Sequence, residues 1–157
     1  PDEEVGRGVD HIDMKRLDAD YGYTLDGGVL GSIEDESFSA DAVTVTIHGI
    51  SAHPGYAKNK LTNAIKVAAD FIDQLPKDSW SPETTEGREG FVHPTSVSGI
   101  MEKVKVSFII RDHITSKLAE YETRLKKILD TTIDKSSTIG IIKSPRPISC
   151  FFYLTHL

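Results

Sequence analysis

The sequence of 157 residues has a single cysteine, Cys150, and no long apolar run. One cysteine excludes an internal disulfide framework and favours a reducing compartment. No segment approaches the ~20 consecutive apolar residues needed to span a bilayer, and the acidic start lacks the basic and apolar pattern of a signal peptide. We therefore expect a cytoplasmic protein that has no membrane partner.

An excess of basic residues is also lacking. The formal net charge is −6 at pH 7, whereas nucleic-acid-binding domains carry basic patches, so nucleic acid is not an expected partner. Hydrophobic residues make up 38% and charged residues 27% of the chain, as is usual for a globular protein. This length is enough for one domain, or for one small domain and part of another.

Three carboxylates near the start of the chain stand beside glycines. Glu3 and Glu4 lie in PDEEVGRG, and Asp26 lies in YTLDGG. Adjacent acids repel each other unless a cation, a shared proton or water relieves the repulsion, and zinc accepts Asp and Glu ligands. One hypothesis is that Glu4 and Asp26 bind a metal while Glu3 takes a proton from metal-bound water. The alternative is a solvated acidic surface with a hairpin turn at DGG.

The remainder of the chain alternates between strand and helix patterns. Strands are indicated by alternating β-branched residues, and amphipathic helices by apolar residues at three- and four-residue spacing. Pro76 closes the first helix, and Asn59 is interpreted as its cap. The predicted elements are a strand at 43–48, a helix at 61–75, strands at 91–98 and 103–111 joined at Gly99, a helix at 115–132 and a strand at 138–143.

This β-α-β-β-α-β order is that of the split ferredoxin-like unit, in which one four-stranded antiparallel sheet carries both helices on one face. We therefore predict an α/β protein of the α+β type, with this unit at 38–143. Residues 1–37 are interpreted as short strands and turns. Residues 144–157 form an atypical tail, because Pro145 and Pro147 oppose a regular element. Its aromatic run either packs on a neighbour or marks an abnormal end of the chain.

Five motifs follow one another in an order that is specific to one family: PDEEVGRG, DADYGYTLDGG, ISAHPGYAKNK, EGREGF and FIIRDH. This series resembles the two-zinc exopeptidases with an inserted lid domain, and among them the tripeptide aminopeptidases of the peptidase T family. The resemblance extends from Pro1 to the second predicted helix. It implies that residues 1–37 are part of a catalytic domain and carry its metal-site strands. It also implies that residues 38–143 are the lid, which forms homodimers in the family.

The resemblance implies a role for each of five residues. Glu3 matches the general base, and Glu4 and Asp26 match ligands of the two different zinc ions. His53 matches a lid histidine that, in the family's dimers, reaches the partner subunit's active site and holds the substrate carbonyl. Arg111 matches an arginine that binds the C-terminal carboxylate of the substrate. The intact enzyme would release the N-terminal residue of tripeptides with two Zn²⁺ ions per active site.

Three of the five metal ligands of that family have no counterpart in this sequence, namely an upstream His, a bridging Asp and a downstream His. We therefore expect the chain to be a fragment, as its start at Pro1 instead of Met also indicates. Two carboxylates alone leave a zinc ion mostly hydrated, so we expect the isolated chain to bind zinc poorly and not to hydrolyse peptides. The alternative is a non-catalytic ferredoxin-like module that dimerises or binds another partner.

Overall fold

The computed structural model describes residues 11–23, 25, 29–33, 36–136 and 150–156, the last range for the backbone only. The chain divides into two compact units, Pro1–Glu34 and Asp35–Leu157. In the described part of the first unit, one short helix, α1 (Met14–Leu17), is capped by Asp13, whose Oδ1 atom accepts hydrogen bonds from the backbone N–H groups of Lys15 and Arg16. These described residues contain no strand, so the short strands predicted there are wrong for this part of the chain.

The second unit consists of an antiparallel sheet and two helices. Its elements are β1 (Ser39–His48), α2 (Ala64–Asp73), β2 (Phe91–Ile100), β3 (Lys103–Asp112), α3 (Leu118–Ser136) and β4 (Cys150–His156). The strand order is β2-β3-β1-β4, and every neighbouring pair is antiparallel. This arrangement confirms the predicted α+β class, and it makes β2 and β4 the edge strands.

The last strand of the sheet is at a different position from the one predicted. Residues 138–143 lie outside the described residues, whereas β4 pairs with β1 from Asp41 opposite His156 to Ile47 opposite Cys150. The two prolines of the tail precede this strand, so their missing N–H groups do not interrupt its ladder. Aromatic and β-branched residues dominate the run FFYLT, a composition that favours a strand.

The core lies between the sheet and the two helices. Alternate residues of β1 and β3 are buried, and the rings of Phe71 on α2 and Phe108 on β3 pack edge to face with centroids 5.8 Å apart. Burial of one such large side chain contributes about 1.5–3 kcal/mol. The same alternation turns the remaining residues of β3, Arg111 among them, to the face without helices. Other buried side chains of this core include Ile47, Ile110, Leu125, Leu129, Val43, Val45, Val104 and Val106.

Both long helices begin later than predicted. α2 begins at Ala64, because Oδ1 of Asn63 accepts a 2.9 Å hydrogen bond from the N–H of Ile65 and so acts as the cap. Asn59, the cap expected from the sequence, has a φ of +61° in the preceding turn. α3 follows a short 3₁₀ turn at Thr115–Lys117. No helix in the described ranges is long and apolar enough to cross a membrane.

The turn between β2 and β3 also differs from the prediction. It is formed by Met101 and Glu102, and Gly99 lies within β2, opposite Val104. Gly99 has a φ of +146°, and a Cβ atom there would overlap the carbonyl oxygen of Lys103. A glycine is therefore needed just before the turn rather than in it.

Candidate active site

Two of the five predicted site residues, His53 and Arg111, lie in the part of the chain that the structure describes. Glu3, Glu4 and Asp26 lie outside it, so their roles as base and metal ligands stay predictions. Among the described residues, no group of three or more His, Cys, Asp or Glu side chains is arranged to hold a metal ion. The geometry described below therefore concerns His53 and Arg111, the two residues predicted to bind the substrate.

His53 is an exposed residue in the connection that follows β1. It caps a single 3₁₀ turn, Pro54–Tyr56, and its Nδ1 atom accepts a 3.1 Å hydrogen bond from the N–H of Gly55. The ring of Tyr56 lies 5.9 Å from the imidazole, centroid to centroid. The Nε2 atom has no hydrogen-bond partner within the described ranges. This nitrogen is therefore the one available to a ligand.

The connection that carries His53 is anchored at the end of the sheet where β2 joins β3. Ile50 and Thr62 exchange two backbone hydrogen bonds of 2.8 Å, and the N–H of Gly49 donates to the carbonyl oxygen of Glu102 at 2.9 Å. A Cβ atom on Gly49 would overlap the carbonyl oxygens of Met101 and Thr62. His53 is thus held near this end by backbone contacts.

Arg111 lies at the opposite end of the same sheet. It is the second-last residue of β3, it is exposed, and it stands opposite Ala40 of β1 and Phe91 of β2. Its guanidinium forms no ion pair with any of the described carboxylates. Its planar set of donors is therefore free to bind a carboxylate in a bidentate manner.

Asp112, the residue after Arg111, is fully buried and bound on both oxygens. Oδ1 accepts a 2.7 Å hydrogen bond from the N–H of Ile114, and Oδ2 accepts one of 2.9 Å from the hydroxyl of Tyr121. Burial of the phenol, and then its hydrogen bond to Asp112, raise the pKa of Tyr121 to about 12. A Cβ atom on Gly90 would overlap Oδ2 of Asp112. These contacts fix the end of β3 and with it the strand position of Arg111.

The motif EGREGF supports this end of the sheet, a role that sequence reasoning missed. Arg88 forms an ion pair of 2.8 Å with Glu36. The ring of His113 packs on Phe38 with centroids 3.9 Å apart, and its Nδ1 atom lies 3.8 Å from Glu36. The feature of the sequence that indicates this supporting role is the second glycine of the motif, Gly90. It has no side chain and so leaves room for the carboxylate of Asp112.

His53 and Arg111 are not brought together within one chain. Ala40 lies opposite Arg111, and His48 lies opposite Lys103 at the other end of the ladder. Ala40 and His48 are eight residue steps apart along β1, which corresponds to about 26 Å at ~3.3 Å per residue. An extended tripeptide spans at most about 11 Å, so His53 and Arg111 of one chain are not placed to hold the same tripeptide.

Comparison with known protein families and sequences finds a matching family and curated relatives. A family described as a peptidase dimerisation domain matches residues 36–136. Peptidase T of Clostridium botulinum (strain Hall) is 48% identical over 128 residues, which cover 82% of this chain and 31% of that protein. Peptidase T of Clostridium novyi is 43% identical over 135 residues, covering 86% of this chain and 33% of that protein. The chain thus spans about a third of the length of these curated relatives.

Solved structures share the fold. Aminopeptidase PepT from Bacillus cereus matches with a TM-score of 0.70 and 23% identity, over 99% of this chain and 39% of that one. A tripeptidase from Staphylococcus aureus matches with a TM-score of 0.63 and 17% identity, again over 99% of this chain and 39% of that one. At these identities the likeness concerns the fold alone.

Proposed function

Because this chain belongs to the M20 family of peptidase dimerisation domains, we propose that it supplies the lid and part of the metal site of a zinc-dependent tripeptide aminopeptidase. The 48% identity to a peptidase T supports the reaction class. The observation that carries the proposal is the separation of His53 from Arg111 along the sheet. A dimer resolves this separation, because Arg111 of one chain and His53 of a second chain then line one active site. We also propose the cytoplasm as its location.

In this proposal, residues of the chain bind the substrate and move one proton. The donor chemistry of Glu4 and Asp26 suits zinc, and bound zinc would polarise the scissile carbonyl and lower the pKa of the attacking water. Glu3 takes the proton of that water and passes it to the leaving amine, a role worth about 10²–10⁴-fold in rate. These three acids lie outside the described residues and enter through the family's motif.

His53 and Arg111 bind the two ends of the tripeptide. The Nε2 atom of His53 donates to the carbonyl oxygen as negative charge develops on it, a type of interaction worth about 2.7–4 kcal/mol. Arg111 binds the C-terminal carboxylate through two parallel hydrogen bonds. A fixed carboxylate receptor limits the length of the substrate, because a longer peptide places its carboxylate beyond Arg111. This length limit is what makes the enzyme a tripeptidase.

We propose the edge strand β2 and the neighbouring helix α2 as the homodimer surface. Residues 95–100 of β2 are exposed, and an edge strand presents unpaired backbone N–H and C=O groups to a further strand. Val97 and Ile100 on β2 are 56% and 64% exposed, and Ile65 on α2 is 50% exposed. A groove of about 260 Å³ with Ala68 and Ile72 in its lining runs between the two elements. Exposed apolar surface of this kind marks an interaction site, and a second copy is the occupant that the family indicates.

The composite site is tested by subunit complementation in the complete enzyme, by which we mean this chain joined to the sequence that supplies the other metal ligands. His53→Ala and Arg111→Ala are expressed separately and together, and tripeptide cleavage is measured. Each variant alone should have little activity, whereas a mixed dimer regains one site with both residues intact. The mixed dimers should therefore recover about half of the wild-type activity per dimer.

The two outcomes of this experiment are distinct. If both residues serve the active site of their own chain, every site in the mixed dimer lacks one of them and no activity returns. Such a result would overturn the composite site. The control is the double variant His53→Ala/Arg111→Ala co-expressed with wild type. It shows how much activity is lost when active subunits are merely mixed with inactive ones.

A further inference from the structure

We propose that the backbone N–H of Gly55 selects the tautomer of His53, so that Nε2 carries the imidazole proton. The N–H of Gly55 donates to Nδ1 of His53 at 3.1 Å. A neutral imidazole has one donor and one acceptor nitrogen, and the hydrogen bond made by one nitrogen decides which of them is protonated. Because Nδ1 accepts, the proton lies on Nε2.

The turn around His53 is built to make this hydrogen bond. His53 has extended backbone angles, φ −59° and ψ 131°, and Pro54 follows it at the first position of the turn, where its fixed φ favours a helical start. The N–H of Tyr56 closes the turn by donating to the carbonyl oxygen of His53 at 2.9 Å. These contacts leave the N–H of Gly55 directed at the ring of His53.

Gly55 leaves the ring of His53 uncrowded, although it is the N–H of Gly55 and not the absence of its Cβ that makes the hydrogen bond. A Cβ atom at this position would lie 3.3 Å from Nδ1 and 3.4 Å from Cε1 of His53. Each residue of the sequence HPG therefore has a role. His53 provides the imidazole ring, Pro54 presets the turn, and Gly55 provides the unobstructed N–H donor. In this proposal Gly55 acts through His53 and is therefore a positioning residue.

The role of this tautomer in catalysis rests on the function proposed above, whereas the assignment of the tautomer itself does not. A carbonyl oxygen that develops negative charge needs an N–H donor, and a donor held in place beforehand costs no reorganisation in the transition state. The other tautomer would present the lone pair of Nε2 to this oxygen. Gly55 thus keeps the exposed imidazole of His53 in the tautomer in which Nε2 carries the proton.

The tautomer is measured by ¹⁵N NMR of the imidazole ring in the labelled chain, at about pH 9, where imidazoles are neutral. We expect a protonated Nε2 and an unprotonated Nδ1 in the wild type and in Gly55→Ala, which keeps the N–H. Gly55→Pro lacks the donor and should show a mixture of tautomers. A proton on Nδ1 in the wild type, or an unchanged spectrum in a folded Gly55→Pro, would overturn the assignment.

A second measurement does not depend on the folding of Gly55→Pro, in which the new proline also restricts Pro54. The amide nitrogen of Gln overlays Nε2 of a histidine, and that of Asn overlays Nδ1. In the complete enzyme, His53→Asn should lower kcat by about 10²–10³-fold, as the loss of an oxyanion donor does, and His53→Gln by about tenfold less. Equal losses in both variants with the expected NMR spectrum would refute the role of Nε2 as the donor to the oxyanion, while the tautomer assignment would stand.

Discussion

The hydroxyl of Tyr121 on α3 donates a 2.9 Å hydrogen bond to Oδ2 of the fully buried Asp112 at the end of β3. A buried carboxylate is stable only when its oxygens are satisfied. Within the described part of the chain, the second hydrogen bond to this side chain comes from the N–H of Ile114. The pair therefore joins a helix to the strand end that carries Arg111. It also provides the most direct test of how this end of the sheet is held.

Tyr121→Phe removes the hydroxyl and retains the ring. Loss of one partner leaves Oδ2 of Asp112 without a donor, so we expect the free energy of unfolding to fall by about 1–3 kcal/mol. Urea denaturation of the wild type and the variant measures this difference. Tyr56→Phe is the matched control, because Tyr56 is 75% exposed. Equal stability of Tyr121→Phe and the control would show that the hydrogen bond contributes nothing.

The same pair predicts a dependence of stability on alkaline pH. The pKa of Tyr121 is raised from its usual value of 10.0 to about 12 in the folded chain. The neutral phenol is thus favoured by folding, and its contribution is fully present below pH 10. Between pH 10 and about 12 the unfolded chain releases the proton first, so this contribution is lost as the pH rises.

The measurement is the difference in stability between wild type and Tyr121→Phe, followed from pH 9 upwards. This comparison cancels the ionisation of the other tyrosines. We expect a difference that is constant up to about pH 10 and then narrows as the pH approaches the raised pKa. A difference that stays unchanged over the whole range would contradict the assignment of the raised pKa to Tyr121.

Much of the second unit was predictable from the sequence, because its elements bury one face. The alternation of Val43 and Val45 with threonines, and the helical spacing around Phe71, reflect burial against the same core. The start of α2 was not predictable in this way, since Asn59 and Asn63 are both suitable caps. A tertiary contact distinguishes them: the N–H of Ala64 donates to the carbonyl oxygen of Met101 at 2.9 Å.

Polar and irregular positions were harder to predict, because their partners are distant in the sequence. Asp112 follows an exposed arginine and has the appearance of a solvated strand end, yet it is fully buried against Tyr121. Trp80 lies between α2 and β2 in a segment without a helix or strand pattern, but it is 6% exposed and packs under the guanidinium of Arg124 at 4.7 Å. The motifs made His53 and Arg111 candidates for substrate binding, and the strand register then gave their separation along the sheet.

Val97→Asp tests the proposed dimer surface. A charge on the exposed edge strand opposes pairing with the same strand of a second copy, so we expect the dimer to dissociate while the fold is retained. Sedimentation velocity measures the oligomeric state. Ile114→Asp is the control, since Ile114 is also exposed, at 50%, but lies beyond the far end of β3. Dissociation of both variants, or of neither, would place the interface elsewhere.

The isolated chain of 157 residues should not cleave tripeptides when zinc is added. In the proposed assignment the chain supplies two of the five protein ligands, Glu4 and Asp26, and a zinc ion held by two carboxylates would lack its imidazole ligands. Incubation of the purified chain with a tripeptide and zinc, followed by detection of the free N-terminal amino acid, is the measurement. Clear turnover would show that the site needs fewer protein ligands than the five assumed. Stable dimers without turnover agree with the alternative of a non-catalytic dimerisation module.

Arg111→Ala in the complete enzyme should weaken the binding of tripeptides that have a free C-terminal carboxylate. Charged hydrogen bonds contribute about 1.5–3 kcal/mol, so kcat/KM for such peptides should fall by about 10- to 150-fold. Tripeptides with an amidated C-terminus lack the carboxylate and should be cleaved equally by variant and wild type. Arg88→Ala is the control, because this arginine belongs to the same end of the sheet but is paired with Glu36. Parallel losses for free and amidated peptides would mean that Arg111 supports the sheet rather than the substrate.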